Sequence, residues 1–573
     1  MIVLNNPLLN FGLQFLQRIN LHSFLFCICL IVLGIFLVIP LGFLFAMAFL
    51  DTNNNFIGLQ NFKLYLDDSL LLVSLKNTFV VSLTSTFFGV SFALICAYAI
   101  LRTNLRGKKV FHHISMLPLF VPNLTYGLGL AFLFGKKGII TSFLGLDDFS
   151  IYGFTGIVIA QSIYIFPQSF LIIHLGLQSA DYRLYEQAKI IGISPLKSFL
   201  YITLPNIKFS LLSAVLVSFI LCFTDFGTPI IIGGGYSVLS IEIYKQIIGV
   251  QNLSMGATIS IILFIPSLII FWILKKAEKQ THVLSAKATK YQIDSHTLRD
   301  VIFGILASIP TFVILTIMFS VLLASLITLY PHDLSLTLAH FQIESSIDGL
   351  YTLKNSLIIS LLTAVSGAIF VFIFGYLNKM NKSPILQNIA NFLIIAPAAL
   401  PGLVVGIAYI LFFNKPDFQL DKDLYLSNIF YSLYGTFWII VICNIIHFFS
   451  IPSLSVKNAL AKIDNELEAV CESMGISKWG MLKRIYIPLC LPAILENFIY
   501  FFLNSMISIS AIVFIYSTTN KMAAITIIHL DEKGYIEEAA ALAILIMCIN
   551  FIMKFLYEIV KSFIIKKILK ETK

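Results

Sequence analysis

Twelve apolar runs of about twenty residues or more recur along this chain, near 22–50, 71–100, 111–134, 154–177, 207–232, 255–274, 302–330, 350–377, 386–413, 433–451, 490–517 and 538–565. At 1.5 Å of rise per residue, a helix of that length crosses the roughly 30 Å hydrocarbon core of a bilayer. Helices are also the spanning structure in which each backbone N–H and C=O finds its partner within its own segment. The pattern therefore predicts an all-α polytopic membrane protein of about twelve transmembrane helices. Only 12% of the residues are charged, about half the share usual in soluble domains. The first run carries no recognisable small-residue cleavage site and is expected to be a retained span, not a signal peptide.

The net charge of +9 follows topology. Arg102, Arg106, Lys108 and Lys109 follow the second run; Lys275, Lys276, Lys279, Lys287, Lys290 and Arg299 follow the sixth; Lys379 and Lys382 follow the eighth; Lys561, Lys566, Lys567, Lys570 and Lys573 close the chain. The alternate loops are balanced or acidic, with Asp51, Asp67 and Asp68 after the first run and Asp333, Glu344 and Asp348 after the seventh. By the positive-inside rule every even exit and both termini are expected on the cytoplasmic side. No nucleic-acid partner is implied. The eight cysteines lie in or beside apolar runs without a CxxC pair, as packing residues do.

The chain repeats itself. "SLKNTFVVSLTSTFFGVSFALICAYAI" (74–100) matches "TLKNSLIISLLTAVSGAIFVFIFGYLN" (352–378), and "LPLFVPNLTYGLGLAFLF" (117–134) matches "APAALPGLVVGIAYILFF" (396–413). Offsets are 278 from Asn77 to Asn355, 279 from Pro122 to Pro401, and 283 from Gly192 to Gly475 and from Pro205 to Pro488. The expected organisation is one six-span unit at 1–275, a cytoplasmic linker at 276–300 and a second unit at 301–573. Six is even, so both copies enter the membrane the same way, as parallel repeats about an axis along the membrane normal.

Two polar islands interrupt the apolar runs at matching places, in loops 178–206 and 452–489. "YEQAKIIGISPLKSFLYITLPNIK" (185–208) reads as helix, turn, helix. Asp181 or Ser179 caps the first helix, Gly192 permits positive φ, and Ser194-Pro195 opens a second helix expected to end near Leu204-Pro205. A duplicated hairpin on one face of a membrane protein is a docking surface, whereas a single one is equally an interfacial amphipathic hairpin.

These residues resemble the EAA loop of ABC-importer permeases of the MetI-like class. Glu186, Ala188, Gly192, Ile202, Leu204 and Pro205 match the family pattern, with Gln187 where alanine is usual. In the second copy Gly475 and Pro488 match, but Ala469 stands six before the glycine and Glu468 lies one residue early. The resemblance implies that each loop seats in a groove of an ATP-hydrolysing subunit. It implies two copies of that cytoplasmic ATPase, which bind the ATP, and a periplasmic or lipid-anchored solute-binding protein in a bacterial cytoplasmic (inner) membrane. No cofactor is expected in this chain, whose remaining environment is membrane lipid. The segments 224–244 and 508–546 resemble fused two-copy permeases assigned to ferric iron, with relatives assigned to 2-aminoethylphosphonate; thiamine and polyamine permeases share the broader fold. Ferric iron is the expected substrate, and a phosphonate, another phosphorylated small molecule, thiamine or a polyamine is the alternative.

Asp225 falls within the fifth run, where an unpaired carboxylate costs a few kcal/mol by insertion scales. At an offset of 283 its counterpart is Ser508, with Asn504, Ser505 and Ser510 nearby. Two readings stand: a polar lining of the translocation pathway, with Asp225 facing Ser508 across the pseudo-twofold, or hydrogen-bond glue between helices. Gly233, Gly234 and Gly235 read as an outer turn. No GxxxxGK followed by Ser or Thr is present, nor an HExxH or a nucleophile elbow, so the chain is not expected to be an enzyme and does not hydrolyse ATP alone. A self-powered secondary transporter would carry ionisable residues in several spans. A membrane scaffold would use the loops only for recruitment.

Overall fold

The computed structural model describes residues 21–145, 149–281, 289, 291–293, 296–342, 349–421 and 424–571. The expected linker lies partly outside the described residues, as do Lys287, Lys290, Glu344, Asp348, Lys573 and the first twenty positions. Among the described residues ten helices are long and apolar enough to cross a membrane: spans 1 to 8 at Leu21–Met47, Ser69–Arg102, Leu124–Leu144, Phe154–Gln178, Pro195–Phe223, Leu253–Ala277, Thr297–Leu326 and Gly349–Met380, and spans 11 and 12 at Lys478–Ile507 and Ile536–Ile564. Two bent pairs supply spans 9 and 10, Pro384–Ala399 with Gly402–Phe413 at 110° and Phe437–His447 with Ser450–Ala461 at 58°. Twelve spans result, in the order expected.

The proline-bearing segments are breaks. Lys108–Met116 and a 3-10 turn at Leu117–Phe120 precede Leu124–Phe134, so the third span starts later than its apolar run suggests. Pro122 and Pro401 occupy equivalent interruptions. A proline supplies no N–H and disfavours helix at the residue before it.

The repeated LKN motif has a concrete job. Asn77 donates to the Ser237 carbonyl (2.9 Å), and Thr78 Oγ1 accepts from the Leu239 N–H (2.8 Å) at the start of the short helix Leu239–Tyr244. In the second repeat Asn355 donates to the Thr519 and Lys521 carbonyls (3.1 and 3.2 Å), and Ser356 Oγ accepts from the Ala523 N–H (2.8 Å) at the start of Ala523–Glu532. Each first helical N–H of these helices has no partner of its own, so a side chain from span 2 or span 8 caps it. Gly233–Gly235 form the turn before the first of them, with Gly234 at φ 53°.

The two units are interleaved. Span 1 packs on the second repeat: Phe26 meets the Phe374 ring at 5.6 Å, and Tyr409 donates its hydroxyl to the Phe36 carbonyl (2.8 Å). Span 7 packs on the first repeat: Phe303 meets the Tyr98 ring at 4.6 Å, and Ser320 donates to the Gly129 carbonyl (3.2 Å). Gly129 is small for a reason, since a Cβ there would lie 2.8 Å from Ile317 Cγ2. Spans 1 and 7 thus each pack largely on the other repeat, while span 7 also lies along span 12 and span 1 against span 6.

Candidate docking loops and polar pathway

In the first island the helix Tyr182–Ile190 is capped by Asp181, whose carboxylate accepts from the Arg183 N–H (3.1 Å) and the Thr289 hydroxyl (2.9 Å). These bonds to its charged form hold the Asp181 carboxyl below the usual range. Gly192 follows at φ 78°, and the Ile193 N–H returns to the Ala188 carbonyl (2.9 Å). The second island repeats the device: Gly475 has φ 68° and the Ile476 N–H returns to the Cys471 carbonyl (2.9 Å). Both are left-handed helix ends that favour glycine.

The second helix does not end at Leu204-Pro205 as the proline suggests. Pro195–Ser198 passes through a π turn, Phe199–Thr203, into Leu204–Phe223, so the second helix of the island and span 5 are one rod. The Leu204 N–H bonds the Phe199 carbonyl five residues back, and this wider turn accommodates Pro205, which would clash with a carbonyl in regular α-helix. The twin is built the same way, with a π turn at Leu482–Tyr486 ahead of Pro488.

Apolar side chains stand out from both loops. Ile190 (85% exposed), Ile191 (74%), Leu196 and Tyr201 project from the first, and Met474 (70%), Val470 and Trp479 from the second. Glu186 is exposed beside the first group and Ala188 is buried beneath it.

The loops differ at their carboxylates. Glu468 turns inward, accepting from the Tyr486 hydroxyl and pairing with Lys379 Nζ at 3.0 Å. Tyr185 occupies the equivalent place in the first loop, bonding Thr203 at the same spacing of 18 residues (3.1 Å). Glu468 is therefore the structural counterpart of Tyr185, and the position matching Glu186 is Ala469. At the end of span 2, Arg102 replaces the Lys379 interaction: it donates to the Leu177 carbonyl (2.7 Å) and lies 3.9 Å from the centre of the Tyr291 ring.

Asp225 is buried where span 5 breaks. Its carboxylate accepts from Asn123 and from Gln161 (3.1 Å), its carbonyl accepts from the Ser240 hydroxyl (2.7 Å), and Gln161 Oε1 in turn accepts from Ser85 (3.1 Å). All of these belong to the first repeat. Ser508 is buried at the equivalent helix end, and Asn504 bonds the Tyr500 carbonyl of its own helix (2.8 Å). Among the described residues no hydrogen bond joins Asp225 to Ser508, Asn504 or Ser510, so this conformation has Asp225 facing its own repeat instead of its counterpart.

The pseudo-symmetry persists with volumes exchanged. Asn123 packs against Gly227 in the first repeat; Gly402 packs against Ser510 in the second, where a Cβ on Gly402 would overlap the Ser510 hydroxyl. Asn444, 283 positions after Gln161, donates to Ser505 (2.9 Å) as Gln161 donates to Cys222 (3.2 Å), also 283 positions earlier. Sequence reasoning passed over Asn123, Gln161 and Asn444, amides inside apolar runs; for Gln161 and Asn444 the shared offset of 283 is the signal that finds them. Farther along the second repeat, Tyr516 bonds His529 Nε2 (2.9 Å), and His529 Nδ1 lies 3.5 Å from Glu532.

The family described as "Binding-protein-dependent transport system inner membrane component" matches residues 89–282 and again 372–566. The chain belongs to this family. Both matches begin within the second span of a repeat, leaving out the exchanged spans 1 and 7. As a family member it is a MetI-like membrane permease of the ABC-importer class in fused two-copy form, and the permeases of that class are not enzymes. A putative ferric transport system permease from Haemophilus influenzae is 28% identical over 518 residues, 87% of this chain and 78% of that protein. A ferric transport system permease from Actinobacillus pleuropneumoniae is 28% identical over 467 residues, 79% of this chain and 65% of that protein. A thiamine transport system permease from Haemophilus influenzae is 25% identical, covering 71% of this chain and 72% of its own.

Proposed function

We propose that this permease carries ferric iron into a bacterial cytoplasm, powered by two copies of an ABC ATPase seated on the loops at 178–206 and 452–489 and supplied by a periplasmic or lipid-anchored binding protein. The observation that carries the substrate is the likeness to ferric permeases along both repeats. The phenol and carboxylate of Tyr516 and Glu532 are oxygen donors suited to a hard cation, with the His529 imidazole, a donor that also suits iron, between them. ATP is bound by the partner subunits. Both termini and the docking loops face the cytoplasm, in keeping with the basic exits. The repeats at 1–275 and 301–573 each supply half of the pathway, with Asp225, Asn504, Ser508 and Ser510 as its candidate lining. Closure of the ATPases moves the loops, and the continuous rods from Pro195 to Phe223 and from Lys478 to Ile507 carry that movement to the breaks at Asp225 and Ser508. The test is ATP-dependent uptake of radiolabelled Fe³⁺ by proteoliposomes holding permease, ATPase and binding protein, with thiamine, spermidine and 2-aminoethylphosphonate as competitors. Uptake of a competitor in place of iron overturns the substrate assignment and leaves the permease class standing.

The loops make unequal contributions. Glu186→Ala removes an exposed carboxylate and should weaken ATPase co-purification several-fold without altering the thermal stability of the permease. Glu468→Ala strips Lys379 and Tyr486 of their shared partner, a loss of about 1–3 kcal/mol, and should lower thermal stability more than ATPase retention. Equal loss of ATPase at unchanged stability for both variants would place Glu468 in the contact.

A further inference from the structure

On the face that carries the docking loops, a groove of about 590 Å³ opens between the segment joining spans 2 and 3 and the start of span 7. Leu105, Arg106 and Phe111 form one wall, and His296, Asp300 and Ile305 the other. Arg106 is exposed on the first wall, and in the helix that follows it Lys108 is half-buried and Lys109 exposed. Asp300 offsets only part of this charge: it pairs with Arg299 at 2.8 Å and also acts on Lys108. The apolar wall continues out of the groove: Val301 (53% exposed), Ile305 (62%) and Phe312 (70%) form a helical stripe down span 7, the surface a membrane protein turns to acyl chains.

We propose that this groove holds an anionic phospholipid, its phosphate against Arg106, Lys108 and Lys109 and its chains along the span 7 stripe. A basic pocket between helices at the membrane surface, continuous with a lipid-facing stripe, has the chemistry of headgroup recognition. Burial lowers the pKa of Lys108, and a phosphate at the rim would offset that desolvation. The occupant would also bridge the repeats, since one wall belongs to the first and the other to the exchanged span of the second.

The experiment is native mass spectrometry of the full-length permease in mild detergent, titrated with dioleoylphosphatidylglycerol, dioleoylphosphatidylcholine or inorganic phosphate. Wild type should take up the glycerol lipid at least about fivefold more than the choline lipid, a preference of roughly 1 kcal/mol. Arg106→Gln/Lys108→Gln/Lys109→Gln should abolish that preference, while Lys275→Gln/Lys276→Gln, a charge loss elsewhere on the same face, should keep it. Single Arg106→Gln serves if the triple variant is not monodisperse, and should reduce the preference by at least half. Equal uptake of both lipids by wild type, an unchanged preference in the Arg106 variants, or displacement of the glycerol lipid by millimolar phosphate overturns the proposal.

Discussion

Gly192→Val should insert and express at wild-type levels yet lose about tenfold or more in substrate uptake, with ATP hydrolysis by the partner subunits persisting. Gly192 sits at φ 78° with no atom within 4 Å of where its Cβ would lie, so the substitution meets no clash. What it meets is backbone strain, about 1–2 kcal/mol for an L-residue held left-handed and worth roughly tenfold in the population of the native turn. Asparagine tolerates this conformation, so Gly192→Asn should retain most uptake. Transport assays on the two variants, normalised to membrane content, separate the turn from side-chain size; equal uptake by both would remove the turn from the coupling route.

Asp225 carries the second large effect. Asp225→Ala leaves the Asn123 amide without its acceptor inside the protein, at about 1–3 kcal/mol for an unsatisfied donor, and leaves Gln161 only the Cys222 carbonyl; it should sharply reduce the yield of folded permease. Asp225→Asn keeps the volume and one acceptor oxygen. It should fold more nearly normally while slowing transport, because neither neighbouring amide flips freely: Asn123 Oδ1 accepts from the Leu124 N–H (3.0 Å) and Gln161 Oε1 from Ser85. Cysteines at 225 and 508, in a background lacking the native cysteines, should resist a water-soluble thiol reagent in this conformation and become reactive when ATP is trapped on the partners. Protection in every nucleotide state would make this cluster packing between helices and remove Asp225 and Ser508 from the pathway.

The spans were legible because length and apolarity act locally: a twenty-residue run has few other structures open to it in lipid. The duplicated motifs were legible for the same reason, and Gly192 and Gly475 both prove to be left-handed helix ends. The continuity past Pro205 was not, since proline ordinarily stops a helix and the π turn that rescues it depends on how five residues share their hydrogen bonds. The 110° bend of span 9 was visible only as Pro401, which marks a break without fixing its angle. Asn123 and Gln161 were overlooked because an amide in an apolar run has no period; it gains meaning when folding brings Asp225 to it. The inward turn of Glu468 depends on Lys379, 89 positions earlier in the chain, and no local pattern links them.

The exchange of first spans bears on how the protein is made. Phe36 in span 1 waits for Tyr409, 373 residues later, which at 5–20 residues per second is roughly 20–75 s of synthesis. Until span 8 is made, span 1 has chiefly span 6 to pack on, through Phe45 against Phe264, and lacks most of the surface it will cover. It is suited to waiting, being the most apolar of the spans, so lipid can cover the face that protein later will. Release of the first six spans as a separate polypeptide should leave span 1 unmatched and open to membrane quality-control proteases. Co-expression of the second half should protect it, making the two halves each other's chaperones during biogenesis.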